Sequence, residues 1–211
     1  MSHSIIDLSQ ASPVGSGREH LVYQDPHDPQ RLIKVLRPQA KRQGLQRPSI
    51  RRYGPLRVWH LDISEYLTAL NHLGRHCEHL ARPYGFCETS EGLGFIVERI
   101  AGADGGLAPM LRTVVNQLDG DQATFDVLWK AGLALFDNLH AAGVAWKGMS
   151  LNNVVVAGKK ETPTLVVIDG LGETPMIPLV QMSDRVFTLQ HNRQKKRFFA
   201  QLEARSPSQA I

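Results

Sequence analysis

Cysteine is scarce: Cys77 and Cys87 are the only two in 211 residues, too few for a disulfide framework. No apolar run approaches the ~18 residues of a bilayer-spanning helix. The opening stretch Met1-Ser-His-Ser-Ile-Ile-Asp-Leu8 has no basic segment followed by an apolar core, so no secretory leader is expected and the expected location is cytoplasmic. Internal repeats and low-complexity tracts are absent as well. Acids are missing from two stretches, one between Arg37 and Arg57 and the other between Asp137 and Glu161. Apolar residues at 42% and charged residues at 21% match ordinary globular usage, which excludes a disordered or collagen-like chain. A chain of this length fits one domain, built as two lobes.

The net charge of +4 is unevenly spread. Arg37, Lys41, Arg42, Arg47, Arg51, Arg52 and Arg57 form an acid-free basic segment, and Arg193, Lys195, Lys196 and Arg197 form a second concentration. Such patches attract phosphates, nucleic acid or anionic lipid, and Lys41, Arg42, Arg47, Arg51 and Arg52 are the candidate contacts for an anionic partner. Solvated loops and a solvated helix face are the ordinary explanation.

The first third reads as strands: Ile5–Leu8, Leu21–Tyr23 and Arg31–Leu36, separated by turn chemistry at Ala11–Gly17 and Asp25–Pro29. A helix follows from Ser64 to Leu73, with Gly74 as its stop. Ala81–Glu88 and Leu93–Ile100 give two further strands around Ser90-Glu91-Gly92. The run Gly102-Ala103-Asp104-Gly105-Gly106 reads as a hinge. Beyond it, Thr124–Ala142 is a helix capped by Thr124, Leu151–Val156 and Thr164–Ile168 form a hairpin, and a last amphipathic helix spans Ser183–Leu202. The expected fold class is therefore α+β and protein-kinase-like, in a single domain over 1–211. It has a five-stranded antiparallel N-lobe sheet with one helix (1–101, with a basic insertion at about 38–58). A short helical C-lobe with a β-hairpin occupies 102–211.

Phosphoryl transfer asks a protein to hold phosphates, place a metal and orient an acceptor. Gly15-Ser16-Gly17 sits between the first two strands, where a flexible turn over phosphates belongs. Lys34 lies on the third strand, where an ammonium for the α/β-phosphates belongs, and Glu65 is an acid on the following helix that could hold it. Asn153 and Asp169 stand at the two ends of the hairpin as metal ligands. Each has a plain alternative: a common turn, a snorkelling lysine, a solvated helix acid, a turn asparagine and a turn aspartate. Their occurrence in the required order is what carries the reading.

Over residues 12–172 the chain resembles the YrbL-like family, PhoP regulatory network proteins within the protein-kinase-like superfamily. The resemblance rests on Gly15-Ser16-Gly17 with Tyr23 and Asp25-Pro26, on Ile33-Lys34-Val35-Leu36-Arg37-Pro38, and on Trp59-His-Leu-Asp-Ile-Ser-Glu65. It continues through Arg82–Thr89, Gly92–Glu98 and Ala103-Asp-Gly105, and closes with Asn153–Val156 and Val167-Ile-Asp-Gly-Leu-Gly172. It implies ATP and Mg²⁺ as cofactors, with nucleotide contacts at Gly15, Ser16, Gly17, Lys34, Glu65 and Glu98 and metal contacts at Asn153 and Asp169.

One departure stands out. The family carries Arg-Asp five to six residues before the metal-binding asparagine, with the Asp as proton acceptor; this chain has Lys147-Gly148. Sliding the register so that Asn152 is the ligand puts Lys147 at the base position, so neither register supplies a carboxylate. The expectation is a protein that binds Mg²⁺–nucleotide and catalyses weakly or not at all, a pseudokinase with a regulatory role. Two alternatives stand beside it: an active small-molecule, lipid or sugar kinase with a non-standard base, and a non-enzymatic anion- or nucleic-acid-binding module using the 37–57 segment. Only 42 residues follow Asp169, too few for the helices on which kinases dock peptides. His72, His76, Cys77, His79 and Cys87 lack the spacing of a zinc motif. Trp59, Trp129 and Trp146 read as packing residues.

Overall fold

A computed structural model describes residues 5–17, 19–37, 53–172 and 183–206. The chain divides into two compact units, Met1–His60 with Arg82–Arg99, and Leu61–Ala81 with Ile100–Ile211. The basic cluster Lys41, Arg42, Arg47, Arg51 and Arg52 lies outside the described residues.

The first unit is a five-stranded antiparallel sheet in the order β1-β2-β3-β5-β4, with β1 Gly15–Ser16, β2 His20–Gln24, β3 Arg31–Leu36, β4 Pro83–Thr89 and β5 Gly92–Glu98. The run Leu-Ile-Lys-Val-Leu of β3 is buried throughout and takes the middle of the sheet, opposite β2 on one side and β5 on the other. Ile6, Leu8, Tyr23, Ile33 and Val35 make one core cluster. Trp59, fully buried, packs on Phe95, Phe86 and His20 and donates its indole N–H to His20 Nε2 at 3.0 Å. Gly94 is required by close approach: a Cβ there would lie 2.7 Å from Ile33 Cγ2 and 2.8 Å from Cys87 Sγ.

The strand count expected from sequence holds, but the first strand is different. Ile6 makes only an isolated parallel bridge to Thr89, while Gly15–Ser16 becomes the edge strand, paired with Val22 and Leu21. The hairpin closes through Val14 N to Val22 O and Gly17 N to His20 O. The helix α1, Arg57–Leu73, starts seven residues before the expected Ser64, preceded by a 3-10 turn at Gly54–Leu56. Proline in that turn pre-sets a helical start.

The second unit holds α2 Leu111–Asn116, α3 Gln122–Ala141, the hairpin β6 Val154–Lys159 with β7 Thr162–Val167, and α4 Asp184–Glu203. The short α2 carries too few turns to show a period, and sequence reading passes over it. The Gly102–Gly106 run, expected as a hinge, forms a hydrogen-bonded turn: Gly102 N bonds Gly106 O, and Asp104 Oδ1 accepts from Gly106 N. The cap of α3 is Asp121, not Thr124; its carboxylate accepts from the Thr124 amide at 2.9 Å, and that bond with the Thr124 hydroxyl holds it below the usual carboxylate range.

Packing centres on Phe136, whose ring meets Phe198, Phe199, Trp146 and His191. Gly132 admits α4 closely, since a Cβ there would sit 3.1 Å from the Phe198 ring. Burial holds His191 down at about 4; His140 and Lys195 push the same way, while Asp137 and the Phe136 carbonyl oppose it. The unfolded chain would keep the ordinary imidazole value near ~6.5. Between these two values the unfolded state binds a proton that the folded state refuses, so stability is complete above the upper value and falls as pH drops toward the lower one. We expect a lower urea midpoint at acidic than at neutral pH, with the difference reduced in His191→Gln. Equal pH dependence in both proteins would refute that origin.

Candidate functional site

In the first unit, Ser16 and Gly17 are held by a residue that sequence reading left in the basic segment. The Arg37 guanidinium donates from Nε to Gly17 O at 3.0 Å and from Nη2 to Ser16 Oγ. The glycine turn is thus clamped by a cation from the end of β3. Lys34, 7% exposed, sits mid-strand in register with Val22 and Phe95. Glu98 ends β5 and accepts the Arg82 amide at 3.1 Å through Oε2, which closes the β4–β5 end of the sheet.

In the second unit, the segment Ala145–Gly148 and the segment Asp169–Gly172 lie side by side as backbone. Gly172 N donates to Ala145 O at 2.8 Å, Lys147 N to Gly172 O at 3.3 Å, and Gly148 N to Gly170 O at 2.9 Å. Trp146 and Gly172 form a parallel bridge. The approach is close enough to need glycine on both sides. A Cβ on Gly148 would stand 2.9 Å from both Cα and O of Gly170, and Gly170, at φ +80°, would push one into Asn153 Nδ2 at 2.6 Å.

The hairpin register brings Asn153 and Asp169 to the same end. Val154 pairs with Val167, and Ile168 N donates to Asn153 O at 2.9 Å. Leu151–Asn153 forms a 3-10 turn where a strand start was expected, with Ser150 Oγ accepting from Asn152 N. Asn153 Nδ2 donates to Gly148 O at 2.8 Å, which turns its other amide atom, the acceptor Oδ1, to other uses. Asp169 Oδ1 accepts from Gly170 N at 2.8 Å. An amide oxygen and a carboxylate are hard donors that suit Mg²⁺, a cation usually bound by one or two side chains together with waters and phosphates. The donor set fits that group. Among the described residues, no group of three or more His, Cys, Asp and Glu is placed to hold a metal by itself.

Two acids of α1 brace this arrangement. Buried Glu65 accepts the Ala145 amide at 2.8 Å through Oε2, and Asp62 Oδ1 accepts the Leu171 amide at 3.2 Å. The Glu65 contact was not legible in sequence, because its partner is a main-chain N–H eighty positions away. Glu65→Ala should lower stability by ~1–3 kcal/mol by leaving a buried amide without its acceptor. A side chain acting only on bound nucleotide would leave the urea midpoint unmoved.

The remaining polar clusters have structural partners. Burial raises the thiols of Cys77 and Cys87 above their ordinary range, which favours the protonated form. His79 bonds Leu165 O at 2.8 Å, and His76 Nδ1 lies 3.2 Å from the Tyr66 hydroxyl. Arg193, Lys196 and Arg197 are exposed on α4, while Lys195 bonds Asp137 at 2.9 Å. No helix among the described residues is long and apolar enough to cross a membrane.

Residues 6–203 match the family model described as PhoP regulatory network protein YrbL. Over 203 residues the chain is 29% identical to the uncharacterized protein YrbL of Escherichia coli strain K12, covering 93% of this chain and 88% of that one. The YrbL protein of Shigella flexneri matches with the same identity and coverage. Among solved structures, a mutant of the Mycobacterium tuberculosis PknI kinase domain matches with a TM-score of 0.48 and 18% identity, covering 89% of this chain and 72% of that one. Rad53 in complex with AMP-PNP matches with a TM-score of 0.43 and 13% identity, over 76% of this chain and 38% of that one.

Proposed function

The chain belongs to the YrbL family of PhoP regulatory network proteins, and from that premise we propose a kinase-like regulatory protein that binds Mg²⁺–ATP and transfers its phosphoryl group weakly or not at all. The weak half of this reading rests on one observation. Position 148, where the family resemblance calls for a carboxylate, is a glycine whose missing Cβ is the space that Gly170 occupies. A positioned base contributes roughly 10²–10⁴-fold to proton-transfer chemistry. No acid between Asp137 and Glu161 stands in for it.

The binding half is supported by residue chemistry. Asn153 and Asp169 offer oxygen donors from the two ends of one hairpin, Lys34 is an ammonium on a buried strand, and the Ser16–Gly17 turn is held in shape by Arg37. When bound, the cation would neutralise polyphosphate charge. The residues would fix the cation's position and pair with the phosphates. Glu98 and Glu65 enter this reading through the main-chain frame they hold, at Arg82 and Ala145 respectively.

Calorimetric titration of the full chain with ATP, with and without Mg²⁺, tests the proposal. Binding should strengthen with Mg²⁺, and Asp169→Ala should weaken Mg²⁺–ATP by about tenfold or more, ~1.4 kcal/mol. Equal affinity in variant and wild type would end the metal assignment. Vigorous turnover by the wild-type chain would end the pseudokinase assignment and favour an acceptor that brings its own base.

A further inference from the structure

We propose that the cavity walled by α3, the Val144–Trp146 segment and α4 is a binding site for one small uncharged hydrogen-bond acceptor, of water's size, held by the Trp146 indole N–H. Phe136, Trp146, Phe187, Gln190, His191 and Gln194 contribute to its lining, and its volume of about 10 Å³ is the room of a single water. Trp146 is 4% exposed, and its Nε1 is buried without a hydrogen-bond partner among the described residues. An unpaired donor in such a place is uncommon and calls for an acceptor.

The chemistry of the other polar walls defines the guest. His191 adds an imidazole whose neutral form carries one donor and one acceptor nitrogen. Gln194, 9% exposed, adds an amide that accepts through its oxygen. A guest that accepts from Trp146 and exchanges hydrogen bonds with the His191 ring and the Gln194 amide completes the set, with the ~3 hydrogen bonds usual for buried water. A cation would face the Trp146 N–H with no lone pair to offer, and the lining holds no lysine or arginine to balance an anion. His140, Asp137 and Lys195 border His191; Lys195 is paired with Asp137, so no lone charge is supplied from that side.

The site has a consequence for the neighbouring loop. Trp146 bridges Gly172 and directly precedes Lys147 and Gly148, so a guest shared by Trp146 and α4 fixes the entry to the 147–153 segment. This assignment does not depend on nucleotide binding.

Proton NMR on the full chain provides the test. The indole N–H of Trp146, assigned by its disappearance in Trp146→Phe, should show a cross-peak to long-lived water, and Gln194→Leu should abolish it. In that variant the Gly148 amide should exchange with solvent about tenfold faster, while amides in the middle of α3 keep their protection. A crystal structure should place a single peak within ~3.2 Å of Nε1. Density longer than one atom would overturn the assignment to a guest of water's size. A wild-type indole with no contact to a guest, or one bonded to a protein carbonyl, overturns the proposal, and unchanged Gly148 exchange overturns the coupling to the loop.

Discussion

Gly148→Asp should fail to create a kinase, and should destabilise the protein while doing so. Adding a carboxylate at the base position is the obvious repair, and by chemistry alone it offers up to the 10²–10⁴-fold of general-base catalysis. The backbone forbids it in place. A Cβ at 148 lands 2.9 Å from Cα and O of Gly170, and those atoms are main chain fixed by the bond from Gly148 N to Gly170 O. Accommodation requires the 145–148 and 169–172 segments to part, which strains Asn153 through its bond to Gly148 O. Overpacking of this kind costs typically ~1–3 kcal/mol. Gly148→Ala isolates the steric part: it should lose nearly as much stability as the aspartate variant. Phosphotransfer from labelled ATP should stay at the wild-type level in both. A gain of ten-fold or more in Gly148→Asp at undiminished stability would show that the clasp yields and that the missing acid alone limits catalysis.

Trp59→Ala should produce the largest loss of stability. The side chain is completely buried, stacks on Phe95 and His20, and meets Phe86. Truncating a buried tryptophan costs ~3–5 kcal/mol through lost transfer energy and the cavity left behind. A second cost adds to it, since His20, 4% exposed, loses the indole N–H that its Nε2 accepts. Trp59→Phe separates the two by keeping most of the volume while removing the donor, and should fall between wild type and alanine. Urea unfolding followed by circular dichroism reads the series. An alanine variant within 1 kcal/mol of wild type would mean that the sheet repacks around the space.

Much of this architecture was legible because it is written in local patterns. Arg31–Leu36 reads as a buried strand from its unbroken apolar run, and β6 and β7 from β-branched clusters around Gly158–Thr162. The last helix announced itself by Phe198, Phe199 and Leu202 on one side. What escaped was decided by partners far away in sequence. Ile5–Leu8 is as apolar as a strand but finds only Thr89 to bridge, whereas Gly15–Ser16, unpromising by composition, is recruited by Val22. Thr124 and Asp121 both suit a helix cap, and geometry chose the aspartate.

The candidate site divides the same way. The placement of Asn153 and Asp169 at one end of a hairpin was legible because the two strands between them are apolar and close in sequence. The contacts of Asp62, Glu65 and Arg37 to main-chain groups and to the Ser16 turn were not, because spacing does not reveal them. Gly148 was readable as a missing acid, but the reason that it must be small was hidden in the φ of Gly170 and the path of the backbone beside it.

The ladder joining Ala145, Lys147 and Gly148 to Gly170 and Gly172 consists of peptide groups. At Ala145 and Lys147 the ladder uses no side-chain atom, whereas at its three glycines an added side chain would strike a neighbour. A saturation scan should show this as an uneven tolerance profile, with 148, 170 and 172 admitting nothing but glycine.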